Sequence, residues 1–121
     1  MTADEYYKLG VALAADNKLG DALEALEECV VIDPDHAPAC KELARLSLMA
    51  NEVRAFSNWL HEAQRIDAGD PEPHVMLAEY LVEKRRWEET DQEVRLALRK
   101  DPVPSLVDRL AAVQARIPEY F

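Results

Sequence analysis

The sequence has few glycine and cysteine residues. Of its 121 residues only three are glycine and two are cysteine, and the cysteines do not form the CxxC spacing of many redox sites. Cys29 and Cys40 both fall on the apolar stripes of predicted helices. Buried small side chains are the favoured interpretation. A redox pair is the alternative, because one lies late in a helix and the other early in the next.

Positive charge is also scarce. The chain holds 14 Lys and Arg residues against 24 Asp and Glu residues, a formal net charge of −10. The excess is greatest in residues 3–36, which hold nine acidic and two basic residues. We expect neither nucleic acid nor an anionic membrane as a partner, because both are bound mainly through Lys and Arg.

A long apolar run is missing as well. No segment approaches the roughly 20 apolar residues that a membrane-spanning helix needs. The acidic N-terminal segment lacks the apolar core of a secretory signal. We therefore expect a cytoplasmic protein.

The patterns of catalytic and metal sites are absent from the sequence. His61-Glu62 lacks the second histidine of a zinc-protease helix, and Asp33-x-Asp35-His36 lacks the glycine and distal glutamate of a calcium loop. There is no Gly-rich phosphate loop. We expect no enzyme activity, no cofactor, no metal site and structural roles for the three histidines.

What the chain does have is apolar residues at helical spacing. Ala, Leu, Glu and Arg are abundant, and these side chains lose little rotamer freedom in a helix. The connections are two to five residues long, which favours antiparallel neighbours. The pattern predicts seven helices, over residues 2–15, 19–32, 38–50, 52–66, 71–84, 87–100 and 104–116.

The helices come in pairs that repeat along the chain. Leu9, Leu43 and Leu77 are 34 residues apart, and so are the aspartates at positions 33, 67 and 101. A period of this size is typical of stacked helical hairpins.

The repeated residues resemble those of the tetratricopeptide repeat (TPR) family. The first unit reads Tyr6-x2-Leu9-Gly10-x2-Leu13, Ala22-x3-Leu26 and Pro34, close to the family pattern of W-x2-L-G-x2-Y, A-x3-F and P. The later units keep fewer of these positions: Leu43, Ala44, Leu60 and Ala63 in the second, and His74, Leu77, Ala78, Leu81, Val94, Ala97 and Pro102 in the third.

The resemblance implies an all-α fold, a right-handed α-solenoid of three antiparallel helix hairpins with a seventh capping helix. It also implies that residues 1–121 form a single TPR domain, with repeats at about 3–36, 37–70 and 71–104 and the cap at about 104–117. The three spaced leucines are expected to fill the layer between hairpins. Gly10, Ala44 and Ala78 fit a close crossing of the two helices of each hairpin. Phe56 faces the same crossing, and we expect small Ala44 and Ser47 to make room for its ring.

The resemblance also implies that the first helix of each hairpin lines a concave groove that binds a partner. Lys41 and Arg45 lie one turn apart. They are expected either to hold an acidic group of the partner or to pair with surface acids such as Glu42 and Glu79. The predicted groove residues are Tyr7, Val11, Lys41, Arg45, Leu48, Val75, Glu79, Val82 and Arg109.

The function predicted from the resemblance is non-catalytic protein–protein interaction, with a peptide or helix of the partner in the groove. The alternative is a small TPR-type chaperone for one client, such as a secretion-system component. The chain ends in Ile117-Pro118-Glu119-Tyr120-Phe121. These aromatics are expected to fold back over the last hairpin, and the alternative is that they dock into a neighbour. A homodimer through the C-terminal helix or tail is therefore a further possibility.

Overall fold

A computed structural model of the protein describes residues 1–120, and their regular structure is helical. The all-α fold of helical hairpins, the solenoid class, is confirmed, and each helix begins and ends within two residues of its predicted bounds. Within residues 1–120 the helices are α1 (Ala3–Ala15), α2 (Leu19–Ile32), α3 (Ala37–Met49), α4 (Val53–Ile66), α5 (Glu72–Glu83), α6 (Trp87–Leu98) and α7 (Pro104–Gln114).

The chain forms two compact units. Unit 1 is Met1–Ala68 and holds α1 to α4, and unit 2 begins at Gly69 and holds α5 to α7. The assignment of residues 1–121 to one domain stays a prediction.

The 34-residue period is visible in the backbone at the turn inside each hairpin. Asn17, Asn51 and Arg85 have φ values of 59°, 61° and 58°. The residue after each one donates its backbone N–H to a carbonyl five positions earlier, at 2.8–3.1 Å. This is the Schellman motif, which ends a helix with one left-handed residue. Asparagine tolerates that conformation better than arginine does, so the third turn departs from the preferred residue type.

Unit 1 is built around a tight crossing of α1 and α2. Gly10 is buried, and a Cβ atom there would lie 2.6 Å from Leu26 Cγ. The crossing therefore requires the glycine, as the sequence predicts. The core of the unit joins the first hairpin to α3 through Ala22, Leu26, Cys29, Ala39, Leu43 and Leu46, with Trp59 packed against it.

The second hairpin of unit 1 buries its large aromatic side chain. Phe56 is 1% exposed, and Ala44 and Ser47 are buried as well. The inward placement of Phe56 is confirmed, and the hypothesis that Ala44 and Ser47 make room for its ring stays a prediction. Leu43 is fully buried, but Leu9 is 40% exposed. The expectation that Leu9 fills a layer between hairpins is wrong, because Leu9 lies outside the cluster that joins the first hairpin to α3.

Unit 2 packs α7 against the α5–α6 hairpin. Its core consists of Val75, Ala78, Val82, Val94, Ala97, Leu106, Leu110 and Val113. Ile117 and Trp87 are partly buried against it, whereas Tyr120 is 89% exposed. The expectation that the terminal aromatics fold back is wrong for Tyr120, because Ile117 rather than Tyr120 packs on the core. Phe121 lies outside the described residues.

Candidate partner-binding surface

Five of the predicted groove residues lie on α1 and α3, two helices of unit 1 that contact each other. Tyr7 and Val11 are one turn apart on α1, and Lys41, Arg45 and Leu48 follow one face of α3, since residues three or four apart are neighbours on a helix. Val11 is 38% exposed, Arg45 is exposed, and the other three are partly buried. We call these five residues the α1–α3 surface.

His36 fixes the start of α3 against α1. It is the N-cap of α3, and its Nδ1 accepts a hydrogen bond from the Ala39 N–H at 3.1 Å. The other ring nitrogen, Nε2, therefore carries the proton and donates to Asp4 Oδ1 at 3.0 Å. The ring centroid is also 5.0 Å from that of Tyr7. These contacts hold the α1 and α3 parts of the surface in register.

Arg45 already has a partner in its own helix. Its guanidinium binds both carboxylate oxygens of Glu42, and one Nη lies 3.6 Å from Met49 Sδ. The hydrogen bond with Glu42 raises the pKa of Arg45 above its ordinary value. Of the two alternatives for this cation, the intrahelical pair is the one that the structure contains. Half of the Arg45 side-chain surface nevertheless remains exposed.

The predicted groove residues of unit 2 are placed differently. Val75 and Val82 are 0% and 2% exposed, and they belong to the core that joins α5, α6 and α7. Their assignment to a partner surface is wrong, because α7 covers this face of α5. The prediction assumed that equivalent positions of each repeat face the groove. It took no account of a further helix packed on the last hairpin.

Glu79 and Arg109 bind each other. Arg109 donates to both carboxylate oxygens of Glu79, at 3.1 and 2.6 Å, and to Glu72 at 3.5 Å. Hydrogen bonding to Glu79 raises the pKa of Arg109 above its ordinary value. A bidentate pair of this kind fixes geometry. These two residues therefore hold α7 on α5.

A second polar cluster in unit 2 was not predicted. Lys100 Nζ lies 2.9 Å from His74 Nε2, and His74 Nδ1 lies 2.7 Å from Glu93 Oε2. Lysine can only donate, so Nε2 accepts and the Nδ1–H donates to the carboxylate. The cluster ties the start of α5 to α6 and the residues after it. Sequence reasoning missed it because Lys100 is 26 positions from His74.

The two cysteines are buried free thiols. Burial raises the pKa of Cys29, and it raises the pKa of Cys40 to about 11. A thiol is a poor nucleophile because the thiolate is the reactive form. The structure therefore favours the packing role over the redox pair.

The part of the chain that the structure describes offers no group of three or more His, Cys, Asp or Glu side chains arranged to hold a metal ion. In residues 1–120 there is likewise no helix whose length and apolar character suit a membrane crossing.

Comparison with protein-family models identifies a repeat family. The model described as tetratricopeptide repeat matches residues 13–78, more than half of the chain. No curated protein matches the sequence.

Solved structures with similar folds include several of low sequence identity. MamA is 20% identical with a TM-score of 0.78, and the match covers 83% of this chain and 58% of that one. The TPR domain of P58(IPK) is 18% identical with a TM-score of 0.81, covering 94% and 32%. The chain thus spans less than two thirds of both proteins.

A third solved structure matches over nearly its whole length. It is the type III secretion chaperone SycD of Yersinia enterocolitica, in complex with a peptide of the translocator YopD. It is 16% identical with a TM-score of 0.78, and the match covers 93% of this chain and 92% of that one. At these identities the three likenesses establish the fold.

Proposed function

The chain belongs to the tetratricopeptide repeat family, and we propose that it is a non-catalytic protein–protein interaction module. A peptide or helical segment of the partner lies across the α1–α3 surface of unit 1. The observation that supports the proposal is that Val11 and Arg45 are exposed, and Tyr7 and Leu48 partly exposed, on two helices that contact each other. Stacked helical repeats offer such surfaces to partners.

The composition of the surface indicates the chemistry of the partner. Tyr7, Val11 and Leu48 offer apolar contact, and a bound segment would supply apolar side chains at matching intervals. Arg45 has five N–H donors, of which Nε and one Nη bind Glu42. Half of the Arg45 side-chain surface is exposed, and its N–H groups that do not bind Glu42 can donate to a carboxylate of the partner. We therefore propose a segment that combines apolar and acidic residues.

A dedicated chaperone is the second candidate. It is favoured by the length match to SycD, which is a chaperone bound to a peptide of its translocator. A chaperone should keep one aggregation-prone client soluble when the two are produced together. An interaction module without this activity leaves the client's solubility unchanged.

The experiment starts from a partner captured with this chain as bait and reduced to its shortest binding segment. Affinity for that segment is then measured by calorimetry for the Lys41→Gln/Arg45→Gln variant. We expect a loss of about five- to tenfold, the effect of removing two surface charge contacts. Glutamine removes the charges without placing a like charge beside Glu42.

A matched control comes from exposed cations elsewhere on the chain. Arg54→Gln/Arg99→Gln changes the net charge equally at two exposed positions and should leave affinity within about twofold, because exposed charges away from a contact contribute little. If the Lys41→Gln/Arg45→Gln variant bound as tightly as the control, the α1–α3 surface would not be the binding site.

A further inference from the structure

The first hairpin carries a second cleft, separate from the α1–α3 surface. Its apolar wall is Tyr6, Leu9 and Leu13 on α1, and its other wall is α2. The cleft is open and has a volume of about 440 Å³, within the usual range of ligand-binding clefts. Leu9 is 40% exposed there. An apolar stripe at positions i, i+3 and i+7 suits an amphipathic helix as its ligand.

The α2 wall of this cleft carries a concentration of negative charge. Asp21, Glu24 and Glu28 line it at intervals of one turn. The α2 sequence holds four acidic residues and no Lys or Arg, so α2 cannot form ion pairs within itself. Within residues 1–120, none of these three carboxylates has a cation as a partner.

Three other helices each pair an acid with an arginine of the same helix. Arg45 pairs with Glu42 in α3, Arg65 with Glu62 in α4, and Arg95 with Asp91 in α6. α5 has no Lys or Arg of its own, but its Glu79 and Glu83 pair with Arg109 and Arg116. The three α2 carboxylates at the apolar cleft differ because, among the residues that the structure describes, neither their own helix nor a neighbouring one supplies them with a cation. The charge remains available to a ligand.

We propose that this cleft, which we call the acidic cleft, binds a cationic amphipathic helix of a protein partner. Leucine-like side chains of that helix contact Tyr6, Leu9 and Leu13, and flanking Lys or Arg residues pair with the α2 carboxylates. A second copy of this chain does not fit. A symmetric contact would bring the same acidic wall of each copy together, and like charges facing each other oppose association.

The inference goes beyond the α1–α3 surface and does not depend on it. The probe is a fluorescein-labelled helical peptide of about 18 residues, with leucine along one face and lysine elsewhere. A second peptide carries glutamate in place of each lysine. Binding is followed by fluorescence anisotropy at several salt concentrations with the full chain. We expect the lysine peptide to bind, its affinity to fall as salt rises, and the glutamate peptide not to bind.

Variants assign the binding to the cleft. Glu24→Lys/Glu28→Lys should weaken the lysine peptide by about tenfold or more, since it reverses two adjacent charges at the contact. Leu9→Ala removes exposed apolar surface and should weaken it by about threefold or more. Lys41→Gln/Arg45→Gln should leave it unchanged, which separates this test from that of the α1–α3 surface.

The matched control is Asp108→Lys/Glu119→Lys, which alters net charge equally at exposed positions of unit 2. It should change affinity by no more than about twofold at physiological salt, because screening confines charge effects to about 8 Å. Three results would overturn the proposal. They are an equal loss in the cleft and control variants, equal binding of the two peptides, and a dimer in sedimentation that Leu9→Ala dissociates.

Discussion

Replacing Gly10 with alanine tests the helix crossing on which unit 1 depends. A Cβ atom at Gly10 would lie 2.6 Å from Leu26 Cγ, 2.9 Å from Leu26 Cδ2 and 3.3 Å from the Ala22 carbonyl oxygen. Leu26 is fully buried, and its Cγ is attached directly to Cβ, so the branch cannot swing away freely. The chain provides a control in Gly20, where an added Cβ would have no atom within 4 Å.

The two substitutions should act in opposite directions. Alanine is favoured over glycine inside a helix by about 0.5–1 kcal/mol, and forcing a methyl group into a packed site costs about 1–3 kcal/mol. Gly10→Ala should therefore lower the free energy of unfolding by about 0.5–2 kcal/mol. Gly20→Ala, in the exposed first turn of α2, should raise it by about 0.5 kcal/mol. Subtracting the effect of Gly20→Ala from that of Gly10→Ala removes the shared helix preference for alanine, and what remains is close to the cost of packing the methyl group against Leu26.

The assay is urea unfolding followed by the fluorescence of Trp59, which packs on the core of unit 1. A Trp87→Phe background removes the signal from unit 2. If Gly10→Ala stabilised the protein as Gly20→Ala does, the close crossing would be refuted. A Leu26→Ala background gives a second check, because the cost of Gly10→Ala should largely disappear there. An undiminished cost would mean that Leu26 is not the obstacle.

Two further predictions concern the interior of unit 1. Phe56→Ala should lower the free energy of unfolding by about 3–5 kcal/mol, because the ring is 1% exposed. A loss below about 1 kcal/mol in urea unfolding would contradict its placement. The pKa of Cys40 is raised to about 11 from an ordinary 9.0, so the unfolded chain loses this proton first as pH rises. The stability that the protonated Cys40 thiol contributes is full below about pH 9 and should be lost by about pH 11. The free energy of unfolding of the Cys40→Ala variant should therefore fall less than that of the wild-type protein between these pH values. Equal losses in the two proteins, in urea titrations at stepped pH, would refute the linkage.

The helix bounds were predicted well because the residues that end a helix in the sequence also end it in the folded chain. Proline and aspartate end α2, and asparagine residues end α1 and α3 in the left-handed conformation that they favour. Gly10 indicated the crossing because it follows Leu9 as the glycine of the repeat pattern does. These features depend on residues close together in the chain.

The partner surface was harder to predict because it depends on what each hairpin packs against. We assumed that equivalent positions of every repeat face the partner, which placed Val75 and Val82 on the binding surface. In the structure α7 covers both residues. The same assumption put Leu9 between hairpins, yet Leu9 is exposed in the acidic cleft. Both errors fall in the first or last hairpin, where the neighbours of a repeat differ from those inside an array.

Only some of the ion pairs could be predicted from the sequence. The spacing of Glu42 and Arg45 made their pair one of two stated alternatives, because residues three apart meet on a helix. Glu79 and Arg109 are 30 positions apart, and no local rule pairs them. The contact between His36 and Asp4 is of the same kind, since it needs α1 and α3 to be neighbours first.

The central claim is that a partner protein contacts the α1–α3 surface, and site-specific photo-crosslinking tests it most directly. A benzophenone amino acid is placed at Val11 or Leu48 and, as a control, at exposed Asn58 on α4. After irradiation with the partner present, Val11 and Leu48 should each give one discrete crosslinked species, and Asn58 should give little or none. Equal crosslinking at all three positions, or crosslinking at Asn58 alone, would contradict the claim.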